Sequence, residues 1–246
     1  MSPPATPATY GSKLVSGREV AEQTRSFQFE KPTGFRFEAG QFMEVTLPPP
    51  GDVPAEPLTH PFSIASAPDE PRLMIATRMR DSNFKRMLGS LPPGSDISLT
   101  GPFGDLTMHE DPSKPAVFLT GGIGVTPFRS MVIHAEQRRL SHRILMIYSN
   151  RRPEDAAFLE ELRDSERRNP NFRLIPTMTR PGDSRPAWNG EQGRVDAAMI
   201  RRYSPDAGTA VYYIAGPPRM VQGLRAALSG VGVENERIRS EEFDGY

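Results

Sequence analysis

An antiparallel β-barrel followed by a doubly wound α/β domain with a parallel sheet is the fold class this sequence predicts, on three observations. Up to Gly104, short apolar runs are parted by Gly and Pro at the spacing of an antiparallel all-β unit. Past a polar stretch broken by Pro112 and Pro115, strand-like runs alternate with helical ones, which is the rhythm of βαβ units. Between the two, Ala116-Val117-Phe118-Leu119 leads through Gly121-Gly122-Ile123-Gly124 into a helical segment, so the second unit opens on a strand, a glycine turn and a helix.

Residues 1–10 are rich in Pro, Ala and Thr and read as a disordered tail, which leaves 11–108 for the barrel, 109–115 for a linker and 116–246 for the α/β domain. Barrel strands are expected at 15–29, 35–47, 61–65, 73–79 and 96–100. Pro48-Pro49-Pro50-Gly51 cannot join a central strand and belongs to a surface loop. One helix interrupts at 83–91, where Phe84, Met87, Leu88 and Leu91 recur at spacings of three and four before Pro92-Pro93-Gly94 stops it. In the second unit, strands are expected at 116–119, 143–148, 172–176, 210–215 and 237–243, and helices at 127–138, 154–167, 195–202 and 219–228. Pro127 is read as the first residue of its helix, where a missing N–H costs nothing.

Ligands of such sheets lie beyond the carboxyl ends of the strands, where the 121–127 turn, Ser149-Asn150-Arg151-Arg152 and Gly216-Pro217-Pro218 all fall. A glycine turn lets backbone N–H groups approach a diphosphate, and the helix N-terminus adds roughly half a unit of positive charge. Gly122-x-Gly124-x-x-Pro127 departs from the dinucleotide fingerprint by placing proline where the third glycine falls. A nucleotide is the expected guest, with a purely structural βα turn as the other reading.

Composition excludes several classes. Lys and Arg number 30, Asp and Glu 30, and no block of like charge stands out, so nucleic acid is not an expected partner. There is no cysteine, which removes disulfides, zinc–thiolate sites and cysteine-held iron–sulfur clusters. His109, His134 and His142 fit no metal-ligand spacing and read as structural or solvent-facing, so no metal site is expected. The first residues carry neither a basic nor an apolar leader region, and nowhere do about 18 apolar residues run together. A cytoplasmic protein without membrane insertion is expected.

Five motifs in order are more specific: His60-Pro61-Phe62-Ser63, Gly101-Pro102-Phe103-Gly104, the 121–127 turn, Ala215-Gly216-Pro217-Pro218-Arg219-Met220, and Glu241-Glu242-Phe243-Asp244-Gly245-Tyr246. From about residue 13 onward, the chain resembles the ferredoxin–NADP reductase family of flavoenzymes. The resemblance implies FAD or FMN on the barrel and NADPH or NADH on the α/β domain, with hydride passing to flavin N5 and electrons leaving to an acceptor. Most relatives carry Arg-x-Tyr-Ser; His60-Pro61-Phe62-Ser63 is closer to the His-Pro-Phe-Thr of the NADPH oxidase and ferric reductase branch.

By that resemblance Phe62 lies against the flavin ring, with a core aromatic as the alternative, and Ser63 stands at N5, with a backbone-bonded hydroxyl as the alternative. Arg78, and Lys85 beside Ser82, supply cations for the flavin phosphate or are simply solvated. The nicotinamide dinucleotide rests on Gly121, Gly122, Gly124, Val125, Thr126 and Pro127, with Gly216 and Pro217 beside the nicotinamide and Ala215 where the family has cysteine. Arg151, Arg152 and Arg180 meet its adenosine end, where a guanidinium forks onto a 2′-phosphate and favours NADPH. Glu154 and Asp155 read as helix caps rather than ribose ligands. Phe243 covers the second flavin face, with Tyr246 as the other candidate, and Glu241 relays protons.

Without thiolates to hold a cluster, electrons are expected to leave for an external carrier such as ferredoxin or flavodoxin, with Arg25, Lys31 and Arg36 as docking cations. The alternatives are a component of an oxygenase or membrane oxidase complex, a reductase of ferric chelates or free flavin, and a non-enzymatic binding module that keeps the fold.

Overall fold

The computed structural model describes residues 7–49, 57–185, 187–204 and 208–243. Its first strands, β1 (Ala8–Ala21) and β2 (Thr24–Glu30), form a hairpin across the range read as one strand. The turn is Glu22-Gln23, with Gln23 at φ 54; neither residue belongs to the types that announce a two-residue turn. β1 also starts inside the stretch read as a tail, because Ala8, Thr9 and Tyr10 pair with Gly101, Thr100 and Leu99 of a distant strand, β6 (Asp96–Phe103). The rest of the expected tail, 1–6, lies outside the described residues, as do Pro50 and Gly51 of the proline loop.

β3 (Phe42–Leu47), β4 (Leu58–Ser63) and β5 (Arg72–Arg78) complete an antiparallel sheet in the order β4-β3-β6-β1-β2-β5. Its edge strands meet where Ala65 N–H donates to the Met74 carbonyl at 2.7 Å, which closes the barrel. Met43, Val45 and Leu47 alternate inward with Phe27, Phe29 and Leu99 around them. Residues 35–41 are not strand; Phe35 and Phe37 reach the same core from a loop. α1 (Asn83–Ser90) buries Phe84 and Leu88 against it, and the Ser82 hydroxyl caps the helix by accepting the Lys85 N–H at 3.2 Å.

In the second half β7 (Ala116–Gly121), β8 (Ile144–Asn150), β9 (Phe172–Met178), β10 (Glu191–Gln192), β11 (Val211–Gly216) and β12 (Ile238–Glu242) form a parallel sheet ordered β10-β9-β8-β7-β11-β12. α2 (Val125–Arg138) and α3 (Leu159–Arg168) cover one face, α4 (Ala197–Tyr203) and α5 (Pro218–Ser229) the other. The chain steps outward from β7 to β10 and then returns to place β11 on the far side of β7, so the topological switch point lies between β7 and β11.

Two helix starts differ from expectation. The 3₁₀ turn Gly122–Gly124 runs straight into α2, so Pro127 is its third residue; the first four N–H groups of a helix lack intrahelical partners, and proline costs nothing there either. α3 starts at Leu159 because Pro153–Asp155 form a separate 3₁₀ turn, so Glu154 and Asp155 cap no α-helix. Asp155 pairs instead with Arg78 and Arg152, and Glu154 accepts from Ser184 and the Arg185 N–H.

One apolar cluster belongs to both sheets. Ala39, Ala65, Met74, Ala76 and Leu106 from the barrel side pack with Val125, Phe128 and Met131 of α2. Beside it, the Arg138 guanidinium pairs with Asp69, and the Tyr213 hydroxyl accepts the buried His109 N–H at 2.8 Å. His142 Nε2 lies 2.8 Å from the His109 carbonyl, so both histidines are structural.

Candidate functional site

The crevice at the switch point is built from close backbone approach. Gly122 has φ +55, the left-handed region that favours glycine. A Cβ on Gly124 would stand 2.3 Å from the Ala215 carbonyl oxygen, so the turn after β7 rests on the end of β11. The Thr120 hydroxyl donates to that carbonyl at 3.0 Å and the Thr126 hydroxyl to Ile123 O at 3.0 Å. From β8, the fully buried Tyr148 hydroxyl lies 3.0 Å from Gly122 O and 3.2 Å from Ala157 O, and burial pushes its phenol well above the ordinary range.

Beyond the turn opens a cavity of ≈ 950 Å³, whose walls include Gly121, Gly122, Asn150 and Met220 from the parallel sheet and Thr24, Arg78 and Arg80 from the barrel. Asn150 is 6 % exposed, and its side-chain nitrogen and oxygen are both without a hydrogen-bond partner. An annex of ≈ 360 Å³ gathers Arg78, Arg80, Arg151, Arg152 and Arg180 around Glu22, Asp155 and Asp183. Arg152 is committed there to protein carboxylates, Glu22 at 2.7 Å and Asp155 at 3.0 Å, and Arg78 meets Asp155 at 3.3 Å. Arg80, Arg151 and Arg180 are exposed.

On the barrel side, register decides which residues face outward. Phe62 is paired with Met43 and His60 with Val45, both core positions, so these side chains point inward. Phe62 is buried, stacked on His60 at 4.8 Å and touching Phe84 at 5.5 Å. Pro61 and Ser63 lie on the opposite face; Ser63 is paired with Phe42, which stacks on Phe103 at 5.4 Å. The Ser63 hydroxyl is buried without a hydrogen-bond partner. Glu241 lies opposite Ala215 in β12. Its Oε2 also lacks a partner, and burial, with the Asp105 charge two residues past Phe103, pushes its carboxyl up to about 7. Phe243 N–H donates to Gly216 O at 3.0 Å, which sets that ring at the switch point, half-buried against the shared cluster.

The oxidoreductase NAD-binding domain family matches residues 118–226. Ferredoxin–NADP reductase B of Sorangium cellulosum is 31% identical over 245 residues, covering 96% of this chain and 98% of that protein. The chain belongs to the ferredoxin–NADP reductase family. The glycine betaine monooxygenase reductase subunit of Chromohalobacter salexigens is 28% identical over 90% of this chain, which spans 60% of that longer protein. A solved ferredoxin–NADP reductase from Neisseria gonorrhoeae with bound FAD and NADP shares the fold, with a TM-score of 0.78 at 22% identity over 95% of this chain and 97% of that one.

The residues carried over from the ferredoxin–NADP reductase family divide accordingly. Gly121, Gly122, Gly124, Val125, Thr126, Pro127, Gly216 and Pro217 converge at the switch point, as their motifs require. Phe243 packs against the cluster shared by the two sheets, and the unpartnered buried oxygens of Ser63 and Glu241 suit a ligand with polar edges such as a flavin ring. Phe62 is placed in the barrel core with the half-buried His60 stacked on it, where the strand's alternation puts them, and Phe42 and Phe103 form an aromatic pair beside Ser63 on the opposite face. Lys85 sits in the first turn of α1, where burial and the nearby Arg80 lower its pKa. Tyr246 lies outside the described residues. Arg25 bonds to Gly89 O, Lys31, one residue past β2, bonds to Pro68 O, and Arg36 is exposed.

Sequence reasoning missed Phe42, Arg80 and Tyr148, which depend on register or on contacts between the halves. Asn150 stands where the loop after β8 was expected to meet a ligand.

Proposed function

We propose that this chain transfers a hydride from NADPH, bound in the switch-point crevice, to FAD held on the barrel, and passes the electrons to a separate acceptor. FAD, when bound, supplies the redox chemistry, while the protein supplies orientation and electrostatics. The backbone N–H groups of the 121–124 turn and the start of α2 bind the dinucleotide diphosphate. Ser63 orients the flavin edge through its unpartnered hydroxyl, and Arg78, Arg80 and Lys85 supply positive charge to phosphate. Phe243 covers the ring, and Glu241, with its carboxyl near 7, holds or releases a proton beside it. Arg151 and Arg180 in the basic annex favour the 2′-phosphate of NADPH over NADH.

The observation that carries this function is the ≈ 950 Å³ cavity with walls from both sheets, opening at a glycine turn that admits no Cβ at Gly124. Its test is the anaerobic absorbance spectrum of the purified protein before and after NADPH or NADH is added. Flavin absorbance that bleaches with dinucleotide is expected; a colourless protein that takes up no added flavin rejects the proposal and favours a binding module.

The acceptor is a small one-electron carrier such as ferredoxin or flavodoxin, since the chain has no cysteine to hold a cluster of its own. The similarity to an oxygenase reductase subunit supports a second acceptor, an oxygenase component. Rapid turnover of ferric chelates or free flavin, insensitive to salt and without turnover of either protein, would identify a small-acceptor reductase instead. Cytoplasmic residence is part of the proposal; among the described residues no helix is long and apolar enough to cross a membrane.

A further inference from the structure

Ala65 and Ser66 form the seam of the barrel. Ala65 N–H donates to Met74 O at 2.7 Å, and Met74 N–H donates to Ser66 Oγ at 3.0 Å. The same two residues are gripped from outside by α2. Arg129, 2 % exposed, donates from Nη1 to Ala65 O at 2.7 Å and to Glu70 Oε2 at 2.9 Å. Its Nη2 donates to Glu70 Oε1 at 3.3 Å and to Glu161 Oε1, and its Nε to Glu161 Oε2 at 2.9 Å. These five bonds use every N–H of the guanidinium. The adjacent Ser130 hydroxyl donates to Ser66 O at 2.6 Å, and the Phe158 ring lies under the Arg129 guanidinium at 5.2 Å.

Position gives this knot its meaning. Ala65 is two residues beyond Ser63 at the end of β4, and Arg129 is one helical turn, about 6 Å, beyond Val125, where the glycine turn enters α2. One planar cation therefore ties the strand end that carries the unpartnered Ser63 hydroxyl to the turn expected to hold the dinucleotide. We propose that Arg129 is a positioning residue for hydride transfer, which fixes the spacing between the flavin edge at Ser63 and the dinucleotide on the 121–124 turn. Lysine cannot replace it, because an ammonium has no planar fork to serve two carboxylates and a carbonyl together. Near-attack geometry is demanding enough that a misplacement of about 1 Å costs on the order of a hundredfold in rate.

The inference rests on the proposed function, and the experiment separates the two. In the full chain, Arg129→Lys and the milder Ser130→Ala are compared with the unaltered protein by anaerobic stopped-flow reduction of the flavin, by flavin and dinucleotide affinity, and by amide hydrogen exchange without ligands. For Arg129→Lys, a reduction rate constant at least about tenfold lower is expected, with both affinities within about threefold, and faster exchange at 64–70 and 121–128 together. Ser130→Ala moves the same readouts in the same direction by less. An unchanged reduction rate with only a lower melting temperature overturns the proposal, and so does a loss confined to dinucleotide affinity. Should the unaltered protein bind no flavin, the functional assignment fails, and exchange alone decides whether Arg129 couples the two segments: no change at either one overturns the coupling.

Discussion

Glu241 is a carboxyl whose environment works against its charge. Burial and the Asp105 charge raise its folded pKa from 4.5 to about 7, so across that window the folded state holds a proton that the unfolded state has released. Stability linked to this group is fully present below the unfolded pKa and is lost as pH rises through the folded one. At about 1.4 kcal/mol per pKa unit, the loss reaches roughly 3 kcal/mol or slightly more by pH 8. Glu241→Gln, which cannot ionise, is expected to flatten the decline in melting temperature between pH 5 and 8; a parallel decline in both proteins would show that other groups carry it. The arginines at the basic annex differ among themselves in a comparable way. Arg152 is held by Glu22 and Asp155, whereas Arg151 and Arg180 are exposed. Replacing Arg151 or Arg180 with Ala is expected to weaken NADPH by about 1.5–3 kcal/mol and NADH little, in titrations of both nucleotides. Arg152→Ala should instead lower stability without separating the two.

At the scale of elements, the glycine turn behaves as a backbone contact rather than a flexible hinge. Gly124 faces the Ala215 carbonyl oxygen, which cannot move without disturbing β11, while the nearest atom to Gly121 is the Met220 sulfur, the mobile end of a side chain. Gly124→Ala should therefore abolish measurable dinucleotide binding and destabilise the fold by about 1–3 kcal/mol, whereas Gly121→Ala should be tolerated after Met220 shifts. Calorimetry of dinucleotide binding and thermal melts distinguish them, and equal effects would show that the contact with β11 is unimportant. This turn was legible in the sequence because its signals are local: an apolar run, glycines and a proline within a dozen residues. The β1–β2 hairpin was not, since Glu22-Gln23 has no turn signature, nor was the start of β1, whose pairing partner lies some 90 residues away. His60-Pro61-Phe62-Ser63 was found, but which residues face outward is fixed by pairing with Met43 and Val45, and so Phe42 went unseen and Phe103 was read only as part of its motif. The arginine partners were hidden for the same reason, because Glu22 stands 130 residues from Arg152.

For the whole molecule, the two sheets are expected to unfold together. Their shared cluster places Ala65, Met74 and Leu106 of the barrel side against Phe128 and Met131 of α2. Polar contacts reinforce it along the same seam: Arg129 with Ala65 O, Arg138 with Asp69, Arg152 with Glu22 and Arg239 with Thr107 O. Exposing either sheet alone would strand the buried Arg129 charge and its carboxylates, a penalty of about 3–5 kcal/mol for a broken buried pair. A probe exists on each side. Trp188, the one tryptophan of the chain, bonds through Nε1 to Glu191 O beside β10 and reports on the parallel sheet, and flavin release reports on the barrel. Thermal unfolding followed by tryptophan fluorescence and by flavin release should give one coincident transition. A dinucleotide at a hundred times its dissociation constant adds about 2.7 kcal/mol, which raises the melting temperature of a chain of this size by roughly 5–10 °C. That rise should appear equally in both signals, although the ligand's diphosphate touches only one sheet. Flavin release that stays in place while the tryptophan transition moves would mean that the halves melt independently, and that the seam carries too little free energy to hold the crevice's two walls at a fixed spacing.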